Sequence, residues 1–206
     1  MTLVKICGIT NIEDALLSAQ FGADMLGFNF YEKSPRYIEP AVAKEIVTAL
    51  GDAEVLKVGV FVNMESHRID EFVNMVGLNV VQIHGDEDAA YLRELRSETS
   101  AKIIRAIRVG SDFNNSFLSL PDVDHVLLDG DAGSLFGGAG KEFDWSLATG
   151  ISGLILAGGL TPETVADAIR VARPFAVDVA SGVEVTKRKK DPVKVEAFIR
   201  NAKNAV

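Results

Sequence analysis

The chain has 206 residues, 48% of them hydrophobic and 24% charged, with a formal net charge of −8. This composition excludes a disordered or collagen-like chain, and the acidic balance argues against nucleic acid or an anionic membrane as a partner. The apolar runs are too short to span a bilayer, and the N-terminus lacks the parts of a secretory signal, so we expect a cytoplasmic protein.

Eight short β-rich runs follow one another along the chain. The predicted strands cover residues 3–7, 25–30, 56–62, 80–84, 102–109, 125–129, 154–157 and 175–180. Most of the segments between them have helical spacing, which is poor only over 111–120 and 130–147. Near-continuous apolar strands that alternate with helices are typical of a parallel sheet covered by helices.

Cap residues mark the starts of the predicted helices. The predicted N-caps, in chain order, are Thr10, Ser66, Asp86, Thr161 and Asp191, and the predicted first helical residues include Pro40, Pro162 and Pro192. Thr10 belongs to a capping-box pattern, and the helix after it would bury a face that carries Ile12 and Leu16.

Two architectures satisfy this alternation, an open doubly wound sheet and a closed barrel. About eight strand–helix units in roughly 200 residues lie at the lower size limit of the barrel. No linker divides the chain, and no GxGxxG motif follows a strand, which weakens a dinucleotide-binding interpretation. We therefore predict α/β architecture, with residues 1–206 forming a single (β/α)8 TIM barrel domain.

Polar residues close several predicted strands, where the chemistry of a parallel β/α fold collects. Cys7 closes the first strand, His84 the fourth and Asp129 the sixth, and Asp178 lies near the end of the eighth. Each has a structural alternative, since a lone cysteine is usually a small buried hydrophobe and Asp129 before a glycine suits a turn. Because strand residues alternate between faces, Lys5 and Cys7 should both point into the barrel.

Three other patterns resemble known sites and fail in detail. Asp129 and Asp131 suggest a divalent ion, but Gly133 stands where a calcium loop needs an oxygen ligand, so we expect no metal. Residues 137–141 resemble a Walker A loop without its first glycine and its Ser/Thr, and we interpret them as a mobile loop over the sixth strand. The basic run 187–190 suits a solvated loop in an acidic protein.

Small residues directly follow the last two predicted strands. Gly158 and Gly159 follow the seventh strand, and Ser181 and Gly182 follow the eighth. Such residues let backbone N–H groups approach an anion, and loops at this place in a barrel commonly bind phosphate. The sequence therefore predicts a phosphate site here; the alternative is that these glycines only form tight turns.

Several stretches form one longer pattern between residues 4 and 191. They are VKICGIT (4–10), SPR (34–36), VQIHG (81–85), LLD (127–129), GGAG (137–140) with FDW (143–145), LAGGL (156–160), and DVASGVE (178–184) with KD (190–191). Together and in this order, they closely resemble the phosphoribosylanthranilate isomerase family. The N-terminal motif is highly specific. Ala139 stands where the family usually has Ser or Thr, and Ala180 stands where Ser is common; both departures affect the geometry of the loops beside the implied contacts.

The resemblance implies an Amadori rearrangement in tryptophan biosynthesis, without cofactor or metal. N-(5′-phosphoribosyl)anthranilate would become 1-(2-carboxyphenylamino)-1-deoxyribulose 5-phosphate. Asp129 is implied as the general acid at the ring oxygen, Cys7 as the general base at C2′, and Arg36 as the partner of the anthranilate carboxylate. His84 and Asp178 are implied as substrate contacts. The expected partner is thus a small phosphosugar, and a monomer and a homodimer stay open.

The chemistry of the two groups sets conditions on these roles. Asp129 must carry a proton at least transiently near neutral pH, which desolvation under the glycine-rich loop would favour. A free thiol with a pKa of about 8.5 is only a few per cent thiolate at pH 7. Lys5, a helix N-terminus or the substrate's own iminium charge must therefore favour the Cys7 thiolate, and the sequence does not choose among them.

Two other functions stay open at this point. A metal-dependent phosphosugar epimerase would use Asp129, Asp131 and His84. A catalytically silent barrel that binds a phosphorylated metabolite would need neither Cys7 nor Asp129. Activity on the related aminoaldose of the histidine pathway also stays open, because that reaction shares the same acid–base logic.

Overall fold

The structure, a computed structural model, describes residues 1–110, 122–130 and 144–205 of the chain. It contains a barrel of eight strands: β1 (Leu3–Cys7), β2 (Met25–Asn29), β3 (Leu56–Phe61), β4 (Val80–Ile83), β5 (Lys102–Val109), β6 (His125–Gly130), β7 (Leu154–Leu156) and β8 (Ala176–Val179). The strands pair in parallel and in chain order, and β1 pairs with β8 to close the barrel. The predicted TIM barrel is confirmed, and each strand bound lies within one residue of the predicted one.

Within the described residues, six α-helices cover the barrel. They are α1 (Ile12–Gln20), α2 (Pro40–Leu50), α3 (Ser66–Val76), α4 (Ala89–Glu98), α5 (Val165–Ala172) and α6 (Pro192–Lys203). Short 3-10 helices occupy Trp145–Ala148 and Ser181–Val183, and a hairpin of β9 (Glu184–Thr186) and β10 (Lys189–Lys190) precedes α6. The segment 111–120 lies outside the described residues. None of the described helices has the length and apolar character needed to cross a membrane.

The helix starts agree only partly with the predicted caps. Pro40 and Pro192 occupy first helical positions as predicted, and Asp191 caps α6. The predicted caps Thr10, Ser66, Asp86 and Thr161 are wrong, since the observed N-caps are Asn11, Glu65, Asp88 and Thr164. The hydroxyl of Ser66 donates instead to Glu94 Oε1 at 2.6 Å, which shows how a tertiary partner displaces a local cap.

The buried face of α1 is also not the predicted one. Ile12 and Leu16 are 42% and 44% exposed, whereas Asp14 is only 2% exposed. Asp14 is buried because β10 packs on this face: the Lys190 N–H donates to Asp14 Oδ2, and Lys189 Nζ donates to Asp14 Oδ1, both at 2.9 Å. Local spacing carries no information about a contact with a hairpin so far along the chain.

Strand alternation separates the outer core from the barrel interior. Val4 and Ile6 on β1 belong to the large core beneath the helices. A second apolar cluster fills the interior with residues of β2 to β8, among them Met25, Val58, Val80, Ile104, Leu127, Ile155 and Ala176. Lys5 lies beside this cluster, in register with Met25 and Asp178. The polar residues at the strand ends are therefore left to line the mouth of the barrel.

Candidate active site

The carboxyl ends of the strands surround a pocket of about 790 Å³, a volume that includes its open mouth. The structure brings all nine predicted site residues to its lining: Cys7, Arg36, His84, Asp129, Gly158, Gly159, Asp178, Ser181 and Gly182. Residues far apart in sequence are thus assembled around one space.

Cys7 lies next to a buried ion pair. Lys5 is fully buried, and its Nζ donates to Asp178 Oδ1 at 2.9 Å, across the β1–β8 pairing. A Cβ on Gly27 would lie 2.7 Å from Cys7 Sγ and 3.2 Å from Lys5 Nζ, so the thiol and the ammonium share the space that glycine leaves free. Burial opposes the charge of Lys5, but Asp178 and Cys7 raise its pKa well above the ordinary value.

The same arrangement sets the protonation of the thiol. Burial raises the pKa of Cys7, and the nearby Lys5 ammonium opposes this rise without cancelling it. The carboxylate of Asp178 adds to the rise, and the charge of Lys190 lowers the pKa. The thiol form is therefore favoured more than in a free cysteine.

Arg36 lies over Gly8, the neighbour of Cys7, where a Cβ would overlap Arg36 Cδ. Its guanidinium donates from Nε and Nη2 to the two carboxylate oxygens of Glu184, both at 2.7 Å. Lys190 Nζ also donates to Glu184 Oε1, at 3.2 Å, and to the Ala180 carbonyl at 3.0 Å. Burial would raise the pKa of Glu184, but the hydrogen bond from Arg36 and the charge of Lys190 lower it below its ordinary value.

His84 stands between Gln82 and Asp129. Gln82 Nε2 and His84 Nδ1 are 3.1 Å apart, within hydrogen-bond distance. His84 Nε2 lies 3.5 Å from Asp129 Oδ2, too far for a good hydrogen bond. Gln82 Oε1 and His84 Nε2 are buried without a hydrogen-bond partner among the described residues, and both side chains line the pocket.

Close packing of the neighbouring backbone explains why glycine is required after β7 and after β8. A Cβ on Gly158, whose φ is +84°, would overlap the backbone of Gly130 and lie 3.1 Å from Asp129 Oδ1. A Cβ on Gly182 would overlap the Leu160 carbonyl oxygen. Close backbone packing accounts for both glycines, so their identity alone does not demonstrate a phosphate site.

Sequence reasoning missed part of this site. The basic run 187–190 is exposed at Lys187 and Arg188, but the prediction of a solvated loop is wrong for Lys190, which is 2% exposed. Strand alternation predicts that Gln82 shares a face with His84, and both side chains line the pocket. Glu184 belongs to the 178–184 motif but is not among the predicted site residues, and no local pattern marks Glu184 or Lys190 as buried.

Some predicted features cannot be placed. The loop 137–141 and Asp131 lie outside the described residues. Among the residues that the structure does describe, no three His, Cys, Asp or Glu side chains are grouped closely enough to hold a metal ion.

Comparisons with known proteins agree on one family. A family model described as N-(5′phosphoribosyl)anthranilate (PRA) isomerase matches residues 4–201. The N-(5′-phosphoribosyl)anthranilate isomerase of Citrifermentans bemidjiense is 44% identical over 98% of this chain and 98% of the relative. The phosphoribosyl anthranilate isomerase structure from Thermotoga maritima has a TM-score of 0.89 at 45% identity and covers 98% of this chain and 99% of its own.

Two further structures bear on ligand and assembly. One is a phosphoribosyl anthranilate isomerase in complex with reduced 1-(o-carboxyphenylamino)-1-deoxyribulose 5-phosphate, with a TM-score of 0.85 at 42% identity over 98% of this chain and 99% of its own. The other is described as mutually generated monomers of the dimeric phosphoribosylanthranilate isomerase from Thermotoga maritima, with a TM-score of 0.85 at 43% identity over 98% of this chain and 99% of its own.

Proposed function

The chain belongs to the N-(5′-phosphoribosyl)anthranilate isomerase family and isomerises that phosphosugar in tryptophan biosynthesis, and we propose that Cys7 and Asp129 are the base and acid of this reaction. The observation that supports the proposal is that the ends of β1 and β6 bring a thiol and a carboxyl group to one pocket. Arg36 and the backbone at Gly159 line the same pocket, so a phosphosugar with a carboxylate would have partners at both ends.

The first step of the proposed mechanism opens the sugar ring. Asp129 donates its proton to the furanose ring oxygen, and the bond between that oxygen and C1′ breaks. The lone pair of the anthranilate nitrogen forms a double bond to C1′ and gives a protonated Schiff base. A positioned acid is worth on the order of 10²–10⁴-fold in rate.

The second step moves the proton from C2′. The Cys7 thiolate takes this proton, and the electrons of the C–H bond form the C1′–C2′ double bond while the iminium becomes an amine. The resulting enolamine tautomerises to the ketone by gaining a proton at C1′ and losing the proton of the C2′ hydroxyl. The overall change is an isomerisation without net oxidation, so no redox cofactor enters the balance.

The ionic surroundings of Cys7 suggest how the thiolate arises. Among the side chains that act on Cys7, Lys5 has the largest lowering effect on its pKa. Since the pKa of Cys7 is nevertheless raised, we infer that the iminium charge of the opened substrate supplies the further stabilisation that the thiolate needs. The base is then formed mainly where it is needed, next to C2′.

The remaining residues have proposed contacts with substrate. We assign the anthranilate carboxylate to Arg36, and the phosphate to the backbone of Gly159, Ser181 and Gly182 with Gly158 at the corner of the loop. The unpartnered His84 Nε2 is suited to a sugar hydroxyl. Asp178 would hold Lys5 through Oδ1 and face the substrate with its other oxygen.

Family membership also bears on the partner, the oligomeric state and the location of the protein. The proposed partner is the phosphosugar alone, and the net charge of −8 argues against nucleic acid. Relatives include a dimeric enzyme, and we propose a monomer or a homodimer of single-domain chains, located in the cytoplasm.

A fluorescence assay that follows the loss of phosphoribosylanthranilate tests the roles of Cys7 and Asp129. Cys7→Ser and Asp129→Asn should each lower kcat by on the order of 10²–10⁴-fold while the circular dichroism spectrum stays native. Asp52→Asn, the same change at an exposed position, serves as the control. Near-normal turnover in either site variant would remove that residue from the mechanism, and loss of wild-type activity in a strong chelator would favour the metal-dependent alternative.

A further inference from the structure

Glu184 occupies one of the two edges of the Arg36 guanidinium. The carboxylate takes the side formed by Nε and Nη2, with both hydrogen bonds at 2.7 Å. Arg36 and Glu184 are 7% and 8% exposed. A buried bidentate pair of this kind fixes the plane of the guanidinium as well as its position.

The other edge of Arg36 stays available. Guanidinium carries five N–H donors, and two of them are used by Glu184. The end-on edge, formed by Nη1 and the second proton of Nη2, makes no hydrogen bond to any residue that the structure describes, while Arg36 lines the pocket. A second carboxylate can therefore bind end-on without displacing Glu184.

Lys190 completes a charged cluster with Arg36 and Glu184 and gives it affinity for an anion. Arg36 and Glu184 alone would form a neutral pair, but the Lys190 ammonium lies 3.2 Å from Glu184 Oε1 and shares its charge. Burial lowers the pKa of Lys190, and the carboxylate of Glu184 opposes this effect. With Lys190 protonated, two cations share one carboxylate and the cluster carries net positive charge. Lys190 also donates to the carbonyl of Ala180 at 3.0 Å, directly before Ser181, and so ties this cluster to the loop proposed for phosphate.

We propose that Glu184, held by Lys190, is a positioning residue that presents the end-on edge of Arg36 to the carboxylate of the substrate's aromatic ring. This proposal rests on the proposed function and adds the origin of selectivity for a carboxylated aryl group. Because Arg36 lies over Gly8, the same contact fixes how the opened sugar approaches Cys7.

Binding of two matched ligands tests the role of Glu184. The probes are the reduced product analogue with its ring carboxylate and the same compound with an unsubstituted phenyl ring. In Glu184→Gln the inhibition constant of the carboxylated probe should rise about tenfold, because the rotamer freedom of Arg36 must then be lost on binding. The constant of the phenyl probe should change less than about twofold, and kcat should fall far less than the affinity.

Glu196→Gln, the same change at an exposed position of α6, should leave both constants unchanged. If Glu184→Gln does not fold, Glu184→Asp keeps the charge on a shorter side chain. In this variant too, the inhibition constant of the carboxylated probe should rise more than that of the phenyl probe, but by a smaller factor than in Glu184→Gln. Equal weakening of both probes, or unchanged binding of the carboxylated probe, would overturn the proposal. Wild-type protein without phosphoribosylanthranilate turnover would overturn the proposed function itself, which separates the two failures.

Discussion

Replacing Lys5 with methionine tests whether its ammonium controls the protonation of Cys7. Cys7 Sγ and Lys5 Nζ would lie 2.7 and 3.2 Å from a Cβ on Gly27, so the two atoms are at most about 6 Å apart. At that separation and an effective dielectric constant of about 20, an ammonium and a thiolate attract each other by about 3 kcal/mol. Loss of this attraction should lower the thiolate population at neutral pH by about a hundredfold.

Alkylation by iodoacetamide measures this effect directly, because Cys7 is the only cysteine of the chain and the thiolate is the reactive form. The pH midpoint of the alkylation rate should move upward in Lys5→Met, and the two curves should converge at high pH, where the thiol is ionised in both proteins. At pH 7, kcat/KM for phosphoribosylanthranilate should fall with the alkylation rate.

Lys102→Met, the same change at an exposed position on β5, should leave the midpoint where it is. A Lys5→Met protein with a native circular dichroism spectrum and an unshifted midpoint would refute the reasoning. It would mean that the lysine holds Asp178 without acting on the thiol.

Three further changes probe the carboxylate end of the pocket. Arg36→Lys loses the planar fork and should raise KM about tenfold with little change in kcat; an unchanged KM would reassign the carboxylate contact. Glu184→Gln should lower the free energy of unfolding by about 3–5 kcal/mol at pH 7, since it leaves buried cations unpaired. The pKa of Glu184 is lowered from 4.5, so wild type loses this advantage as the pH falls below 4.5, and a difference in urea unfolding that stays constant down to pH 3 would contradict the assignment. Gly8→Ala should raise KM by displacing Arg36, whereas Gly51→Ala, also at positive φ but with nothing within 4 Å of the new Cβ, should affect stability alone; equal KM values would exclude the Gly8–Arg36 contact.

The strands and the strand-end residues could be predicted because their causes are local. A parallel strand covered on both sides is apolar almost throughout, so the runs that contain Val4, Val58 and Leu127 stand out from the segments between them. Once a closed parallel barrel is assumed, the polar residue that ends each strand must face the same mouth. Cys7 and Asp129 could therefore be placed together without knowledge of the loops.

The charged network could not be predicted, because its cause is tertiary. Lys190 belongs to a basic run that is otherwise exposed at Lys187 and Arg188, and its burial depends on the carboxylate of Glu184. The wrong face predicted for α1 has the same origin, since Asp14 is buried by a hydrogen bond from β10. An ion pair between residues distant in sequence can bury a charged side chain that would otherwise be exposed. Hydrophobic periodicity describes only local spacing, so it does not predict such a pair.

One segment, residues 178–184, organises the charged parts of the candidate site. Asp178 at its start holds Lys5 beside Cys7, and Glu184 at its end holds Arg36 and Lys190. The 3-10 helix Ser181–Val183, proposed to bind phosphate, lies between them. A shift of this segment relative to β1 would leave buried cations without their carboxylates, which is far more costly than breaking an exposed pair. The β1–β8 register that closes the barrel therefore also fixes the distance from the proposed base to Arg36, which would bind the carboxylate, and to the 3-10 helix, which would bind the phosphate.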